Sequence, residues 1–239
     1  MQDSYQLSQD FVAHYKDLQP IPVVPDNETP SYNWIMHQSR LPWLEIQGLN
    51  LPYADMLVEA QALRDRFVLH RDNCGRGWRS LCVHGTSAEQ TDAPSAYGLP
   101  EAETVFDWTD IQDQCPVTVY TFKNLFNYNS YMRVRFMLVE PGGYIIPHVD
   151  ANNYAFGAVN ISLNNPSGCR LVTELGTVPF SSTGSAIFLN TSYQHTVWNN
   201  SNEDRIHMIV HGTPDNQFWD KIVVDSFIQS PFNNKSKIF

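Results

Sequence analysis

The sequence predicts a mainly β protein with flanking helices, built on a double-stranded β-helix core of the jelly-roll, cupin-like kind. Two observations lead to this prediction. From Ser130 onward apolar residues recur at every second position, which is the period of strands with one buried face. The strand-like runs are short and are separated by turn-rich stretches such as NNPSG, SSTG and NNSNED. A closed or double-sheet arrangement of such strands protects its edges and leaves a mouth where a site can be built.

We expect a single domain over residues 1–239, because no linker or internal repeat divides the chain. The N-terminal part, 1–127, is mixed and contains helices and a loop that could act as a lid. The jelly-roll core occupies 128–213, and a C-terminal helix and tail occupy 214–239.

In the N-terminal part, helical spacing of apolar residues predicts helices over 3–17 and 52–67. The segment after Pro116 fits either a helix or a strand, and we favour the helix. A strand is expected over 78–83. The polar stretch 85–114 contains two prolines and is expected to be a long surface loop or lid.

In the core, strands are expected at 132–139, 157–163, 170–173, 186–189, 195–198 and 205–210. The stretch 215–228 is expected to form a helix packed outside the strands.

Charge and composition restrict the possible partners. The formal net charge is −10, which argues against a nucleic-acid backbone or an anionic membrane as the main partner. No apolar run has the length of a membrane span and the N-terminus lacks a secretion signal, so we expect a cytoplasmic protein. The four cysteines have no zinc-site spacing and are expected to be free thiols.

Four polar residues of the core form a pattern with a chemical meaning: His148 and Asp150 in PHVD, His195 in YQHTVW, and Arg205 ten residues later. Two imidazoles and one carboxylate are the ligand set of a non-haem Fe(II) site, which leaves positions open for a cosubstrate and O₂. An arginine beside such a metal can bind the far carboxylate of 2-oxoglutarate through two hydrogen bonds. The pattern therefore predicts an Fe(II)/2-oxoglutarate-dependent dioxygenase.

The spacing of these residues agrees with the ligand set. Residues two apart on a strand point to the same face, so His148 and Asp150 can bind one ion together. The turn NNSN predicts that His195 and Arg205 lie nearly opposite each other on a hairpin, with the arginine close to the metal. A surface ion pair with a neighbouring carboxylate is the alternative for Arg205.

Short motifs also arise by chance. A second His-x-Asp pattern, His70-Arg71-Asp72, lies in a polar stretch without strand-like neighbours, and we interpret it as a chance occurrence. For His148 alone a structural histidine would be the more ordinary interpretation, and its combination with the other three residues favours the metal ligand.

Around these residues the chain resembles the aspartyl/asparaginyl β-hydroxylase family of Fe(II)/2-oxoglutarate oxygenases, which also contains bacterial proline hydroxylases. The resemblance covers about residues 130–212, through RFMLVEPGGYIIPHVD, VNISLNNP and GSAIFLNTSYQHTVWNNSNEDRIHMIVHG. It implies iron binding by His148, Asp150 and His195, and cosubstrate binding by Arg205. Animal members lack the carboxylate at the place of Asp150, whereas bacterial amino-acid hydroxylases keep it, so the chain leans toward the bacterial branch.

Further cosubstrate residues follow from the resemblance and from strand parity. Animal members carry a basic pair where this chain has Ala158 and Asn160, so Asn160 is a candidate contact for 2-oxoglutarate. His207 shares the face of Arg205, and it either assists the arginine or is an ordinary core histidine.

Substrate-binding residues are less defined by the sequence. Arg135 matches a basic position of the family and is the first candidate for a substrate carboxylate, with a solvent-facing arginine as the alternative. Trp78 and Arg79, beside the expected lid, could supply an aromatic wall and a second anion contact. Core packing is the alternative for Trp78.

We expect the protein to hydroxylate an unactivated C–H bond of an amino acid or a related small molecule, with release of succinate and CO₂. The same chemistry on an Asp, Asn or Pro side chain within a peptide or protein is the second reading. The third is a cupin-like sensor that binds metal and ligand without turnover, or a metal hydrolase on the same barrel. No obvious general base such as a glutamate lies near the ligands in sequence, which argues against the hydrolase.

Overall fold

The computed structural model describes residues 3–16, 30–71 and 73–233 and is dominated by one antiparallel sheet of eleven strands. The strands are β1 (Trp43–Glu45), β2 (Val68–Leu69), β3 (Gly75–Gly85), β4 (Asp107–Trp108), β5 (Tyr128–His148), β6 (Val159–Ser162), β7 (Cys169–Thr173), β8 (Gly176–Thr177), β9 (Ser185–Leu189), β10 (His195–Asn199) and β11 (Arg205–Pro214). The main strand order is β1-β9-β6-β11-β5-β10-β7-β8, and β3 pairs with β2, β4 and β5. The sheet curls into the predicted double-stranded β-helix.

Five α-helices accompany the sheet: α1 (Ser4–Tyr15), α2 (Tyr32–His37), α3 (Tyr53–Ala62), α4 (Pro116–Asn124) and α5 (Asn216–Gln229). The helix that we favoured after Pro116 is confirmed, and so are those expected near both ends of the chain. Residue 17 and the tail beyond residue 233 lie outside the described residues. Helix α2 and strands β1, β2, β4 and β8 were not predicted, because six residues or fewer show too little periodicity.

The helices cover the sheet through apolar and capping contacts. The side chains of Trp219 and Phe227 on α5 are fully buried in the core, so this helix is an integral layer rather than an addition to the outside. The Glu59 carboxylate on α3 accepts hydrogen bonds from the backbone N–H groups of Val117 and Thr118, at 2.6 and 2.8 Å. A carboxylate at a helix N-terminus satisfies unpaired N–H groups and faces the positive end of the helix dipole.

Strand β5 is the centre of the sheet because its 21 residues reach several partners. Its first part pairs with β11, as in Arg205 opposite Val139, and its last part pairs with β10, as in His195 opposite His148. Strand β5 therefore lies between β10 and β11. The predicted hairpin of His195 and Arg205 is wrong, since a long strand from earlier in the chain separates the two short strands.

The alternation of side chains along β5 was expected to mark a strand with one buried face and one face toward solvent. Both faces are buried from Val134 to Val139, including the side chain of Arg135, which is 5% exposed. One face packs into the apolar core and the other contributes to a cavity inside the sheet. Polar residues at every second position thus line an interior site here, rather than facing solvent.

The stretch 85–114 is more ordered than the predicted surface loop. Strand β3 continues to Gly85, and Thr91, Thr109 and Ile111 are buried. The carbonyl oxygen of Thr91 accepts a hydrogen bond from Arg135 at 2.6 Å. Part of this segment is therefore a fixed wall of the cavity, because its backbone is bonded to the sheet that it covers.

The structure also bears on the predictions about the cysteines and about membrane-spanning segments. All four cysteines are free thiols, as expected. Among the described residues, no helix combines the length and the apolar character that crossing a membrane requires.

We expect Gly75→Ala to destabilise the protein by about 3 kcal/mol, more than a substitution at a glycine with free space. Gly75 has φ +151°, and an added Cβ would lie 2.0 Å from the carbonyl oxygen of Tyr144 on β5. Gly48 also has positive φ, +77°, but its Cβ would meet nothing within 4 Å, so Gly48→Ala should cost only about 1 kcal/mol. Urea unfolding of both variants measures the difference. Equal losses would show that β3 does not approach β5 this closely.

Candidate active site

Three potential metal ligands converge where β5 and β10 end side by side. His148 is the last residue of β5, and His195 is the first residue of β10 and its register partner. One ligand atom from each of His148, Asp150 and His195 lies within 4.8 Å of the others. In the described part of the chain, no other three His, Cys, Asp or Glu residues gather in this way. The pairing of β10 with β5 thus brings His195 next to His148 and Asp150, which lie 47 and 45 positions earlier in the chain.

The two histidines are oriented for metal binding. Nδ1 of His148 lies 2.8 Å from the carbonyl oxygen of Ile146, and Nδ1 of His195 lies 2.9 Å from that of Tyr193. A carbonyl only accepts hydrogen bonds, so both Nδ1 atoms carry a proton, and in the neutral tautomer this leaves the Nε2 lone pair free for a metal. Backbone carbonyls commonly orient metal-binding histidines in this way.

The carboxylate lies just beyond the end of the strand. We predicted that Asp150 lies on the same extended strand as His148. This is wrong, because strand β5 ends at His148. Its backbone N–H donates to the carbonyl oxygen of Thr191 at 3.0 Å, which holds the turn against the segment before β10. The Asp150 oxygens lie 3.5 Å from Nε2 of His148 and 3.7 Å from Nε2 of His195. Each Nε2 atom therefore lies close to a different oxygen of the same carboxylate.

Burial favours the neutral form of His195, and only the neutral ring can bind a metal ion through Nε2. Burial and, next, the neighbouring His148 lower the pKa of His195 to about 4. His195 is therefore unprotonated at neutral pH, and a cation does not have to displace a proton from Nε2 before it binds.

The three residues open onto a cavity of about 400 Å³ inside the curled sheet. Trp78 forms part of the wall, with its ring centroid 6.4 Å from that of His148. Its indole Nε1 is buried and has no hydrogen-bond partner among the described residues. Apolar side chains of Ile145, Leu171, Leu189 and Val197 line the cavity as well. Polar and charged side chains make up the rest of the lining and include three arginines and five histidines, so the cavity offers many directed polar groups beside its apolar patches.

Arg205 is completely buried and lies behind His207. The side chain has 0% exposure, and burial lowers its pKa. Within the described residues it contacts no carboxylate, and its complete burial shows that the predicted alternative of a surface ion pair is wrong. Its neighbours are Asn165, whose Oδ1 is 3.4 Å from Nε, and the ring of Phe180, 5.1 Å from the guanidinium carbon. The Nη2 atom has no partner among the described residues. A buried cation without an anion is costly, so this environment fits an anionic ligand.

His207 links the arginine to the cavity. Nη1 of Arg205 donates to Nδ1 of His207 at 2.9 Å, which places the proton of this ring on Nε2. His207 lines the cavity, whereas Arg205 does not. Burial and Arg205 hold the pKa of His207 well below its usual value, so the ring is a neutral hydrogen-bond donor toward the cavity. Asn160 on β6 also lines the cavity, and its Nδ2 lies 3.3 Å from the carbonyl oxygen of Ala158.

Not all predicted substrate residues meet in the cavity. Arg135 and Trp78 line it, but Arg79 does not. Arg79 pairs with Glu140 at 2.7 Å, because neighbouring residues of a strand point to opposite faces and Trp78 occupies the inner one. The expected anion contact by Arg79 is therefore corrected to an ion pair outside the cavity.

Sequence reasoning missed several residues of the cavity. His70 and Arg71, which we interpreted as part of a chance motif, both line the cavity. They are not among the three potential metal ligands. The third residue of that motif, Asp72, lies outside the described residues. Arg133 and His211 line the cavity too. Strand parity could have found these last two residues, since Arg133 is two before Arg135 and His211 is four after His207.

Comparisons with known proteins agree with this site. The family model described as aspartyl/asparaginyl β-hydroxylase matches residues 58–213, which is more than half of the chain. A search of curated proteins found no match.

Several solved structures share parts of the fold. A 2OG-Fe(II) oxygenase family oxidoreductase from Burkholderia pseudomallei is 10% identical, with 82% of this chain and 98% of that chain covered and a TM-score of 0.44. A prolyl-4-hydroxylase from Pseudomonas putida is 15% identical, with 75% and 95% covered and a TM-score of 0.40. A prolyl hydroxylase from Trichoplax adhaerens, in complex with a hypoxia inducible factor peptide fragment, is 15% identical, with 79% and 87% covered and a TM-score of 0.40.

The region that the family model matches contains His148, Asp150 and His195 and every residue that lines the cavity. The protein is accordingly an oxygenase that uses Fe(II) and 2-oxoglutarate. The chain belongs to the aspartyl/asparaginyl β-hydroxylase family.

Proposed function

We propose that the protein hydroxylates an unactivated C–H bond of an amino acid or a related small molecule, with Fe(II) bound by His148, Asp150 and His195. The observation that carries the proposal is the convergence of these three ligands at the end of a cavity of about 400 Å³. This volume is within the usual range of small-ligand sites. Nitrogen and carboxylate ligands on one side of the ion suit a non-haem Fe(II) site.

We assign the far carboxylate of 2-oxoglutarate to Arg205 and His207. Nη2 of Arg205 is a donor without a protein acceptor in the described residues, and His207, whose proton is on Nε2, lines the cavity. A carboxylate that accepts from both would neutralise the buried guanidinium, and charge-assisted hydrogen bonds of this kind are strong. Asn160 is a further candidate contact, because its amide is held by Ala158 at the cavity wall.

Iron with 2-oxoglutarate and O₂ supplies the oxidation, in which 2-oxoglutarate becomes succinate and CO₂ and one oxygen atom enters the C–H bond. The protein's part is to hold the substrate at a fixed position and to exclude water. The apolar side chains of Ile145, Leu171 and Val197 keep the space near the metal ligands dry. Trp78 presents a wall beside His148 and an unpaired indole N–H that can orient a substrate.

Two other readings remain as alternatives. A peptide or protein carrying an Asp, Asn or Pro side chain would use the same iron chemistry. A sensor would bind the metal and 2-oxoglutarate without turnover.

The test is succinate formation by anaerobically purified protein supplied with Fe(II), ascorbate, 2-oxoglutarate and air. We expect a slow iron-dependent release of succinate that a member of an amino-acid panel accelerates. Stimulation by Asp-, Asn- or Pro-containing peptides alone would favour the peptide substrate. Calorimetric binding of 2-oxoglutarate without succinate under any condition would favour the sensor.

A further inference from the structure

Trp78 differs chemically from the other side chains that line the cavity. It contributes the single indole, and among the described residues no Tyr, Phe, Met or Cys side chain accompanies it in the lining. The apolar part of the wall is otherwise aliphatic, as at Ile145 and Val197. An indole has an electron-rich π face and gives up electrons more readily than an aliphatic C–H bond does. Trp78 is therefore the most easily oxidised group of the wall.

The histidines of the cavity are poorer targets for an oxidant. An imidazole holds its π electrons more tightly than an indole, because two ring nitrogens withdraw electron density from a smaller ring. His148 and His195 are deactivated further when their lone pairs bind a cation. The choice between the indole and these rings therefore favours the indole.

Trp78 also lies beside the metal ligands. Its ring centroid is 6.4 Å from that of His148, and the two ring planes are inclined by 43°. The ring of His70 packs edge-on against the same indole, with 4.4 Å between the centroids. Trp78 is only 8% exposed, so close packing holds its ring in this position.

Trp198 matches Trp78 in burial but not in access to the site. It is also 8% exposed, and it follows Val197, which lines the cavity. Neighbouring residues of a strand face opposite sides, so the ring of Trp198 points away from the cavity. It stacks on Tyr144 with 5.4 Å between the centroids. The two tryptophans thus differ mainly in whether they face the metal group.

An empty cavity changes which C–H bond is available. Reduction of O₂ takes four electrons, of which 2-oxoglutarate supplies two on losing CO₂ and a C–H bond supplies the other two. When a substrate is bound, it offers this bond. Without a substrate, the nearest C–H bonds belong to the wall, and the indole of Trp78 is the most reactive part of that wall.

We infer that Trp78 is a self-hydroxylation site, at which a ring C–H bond becomes C–OH when the cavity holds no substrate. One atom of O₂ enters this bond and the other enters succinate, while 2-oxoglutarate loses CO₂. The ring hydrogen ends on the new hydroxyl group, so atoms and electrons balance. The inference rests on the oxygenase chemistry of the proposed function, but not on the class of substrate.

The test is incubation of the anaerobically purified protein with Fe(II), ascorbate, 2-oxoglutarate and isotope-labelled O₂, without substrate. Cleavage after glutamate gives peptide 60–89, in which Trp78 is the single tryptophan, and peptide 175–203, in which Trp198 is. Mass spectrometry of both peptides locates the labelled oxygen, and succinate is measured in the same samples. His148→Ala is the control for oxidation that does not arise at the metal site.

We expect labelled oxygen on Trp78 at least about tenfold more often than on Trp198, because a group held beside the reaction has a high effective concentration. His148→Ala should form neither the labelled Trp78 nor succinate. An amino acid that accelerates succinate release should lower the labelling of Trp78, since the substrate then takes the oxygen. Labelling of Trp78 without stimulation by any amino acid would support the inference and contradict the proposed substrate class.

A second measurement needs no turnover. Co(II) accepts the same imidazole and carboxylate ligands as Fe(II) and does not start the oxidation. Anaerobic titration with Co(II) should quench part of the tryptophan emission of the wild type, and the quenched intensity should be much smaller in Trp78→Phe. Equal quenched intensity in both proteins would show that the indole does not lie beside the ion, which would overturn the inference.

The labelling result separates this inference from the oxygenase activity itself. Succinate release with unlabelled Trp78, or equal labelling of Trp78 and Trp198, would overturn the inference and leave the oxygenase intact. If the wild type forms no succinate, H₂O₂ replaces O₂ and 2-oxoglutarate on the Fe(II) protein, and a C–H bond then becomes C–OH with release of water. Iron-dependent oxidation of Trp78 in excess of Trp198 would support the inference, and equal oxidation of the two would contradict it.

Discussion

His148→Ala and His195→Ala are expected to abolish iron-dependent succinate formation. Each variant removes one of two imidazoles whose Nε2 lone pairs meet at Asp150. A catalytic metal contributes several kcal/mol to the reaction, so its loss should lower turnover by roughly a thousandfold or more. Iron content after anaerobic reconstitution should fall together with the rate, whereas circular dichroism should stay near that of the wild type.

The matched control for this experiment is His37→Ala. His37 is an exposed histidine at the end of α2 and does not line the cavity. It should retain both iron and turnover. The metal assignment fails if either His148→Ala or His195→Ala binds iron and turns over like the wild type. Asp150→Ala should likewise abolish iron-dependent turnover, because it removes the carboxylate of the three-residue group.

Arg205→Met is expected to weaken 2-oxoglutarate binding by about a hundredfold. The guanidinium is fully buried with one unused donor, and hydrogen bonds to charged groups contribute about 1.5–3 kcal/mol each. The loss should raise the KM for 2-oxoglutarate and leave much of kcat at saturation, because the arginine is expected to hold the end of the cosubstrate away from the metal. Calorimetry on the anaerobic Fe(II) protein measures the same loss without turnover.

Thermal unfolding supplies a second measure for Arg205. Without ligand, Arg205→Met should be at least as stable as the wild type, because it replaces a buried cation that has no anionic partner with an apolar side chain. With Fe(II) and 2-oxoglutarate, Tm should rise for the wild type and much less for the variant. Arg205→Lys should give an intermediate rise. If Arg205→Met gains as much thermal stability as the wild type does, the cosubstrate does not contact this arginine.

The core strands could be predicted from local patterns, because apolar residues at every second position indicate a strand whichever strand it pairs with. The strands around Met137, Ile161, Phe188 and Val197 were found in this way. Pairing was not accessible, since the partner of a strand is chosen by contacts over the whole chain. Strand β10 could have turned back onto β11, and only the position of β5 between them shows that it does not.

The site shows the same division at the level of single side chains. Trp78 and Arg79 were both expected near the substrate, yet adjacent residues of a strand face opposite sides. Register shifts in β3 decide which of the two points inward, and such bulges have no clear signature in the sequence. Arg133 was overlooked although it shares the face of Arg135, because the sequence does not show that this face lines an interior cavity.

Local patterns were enough to predict the chemistry of this protein: the candidate ligands His148, Asp150 and His195, an arginine ten residues after the last of them, and a family resemblance around them. They were enough because ligand types and short spacings are local properties. Only the packing of strands that are distant in the chain shows that Arg205 lies behind His207 and that Arg79 points away from the cavity. Burial and charge compensation depend on strands far apart in the chain, so no local pattern could show them.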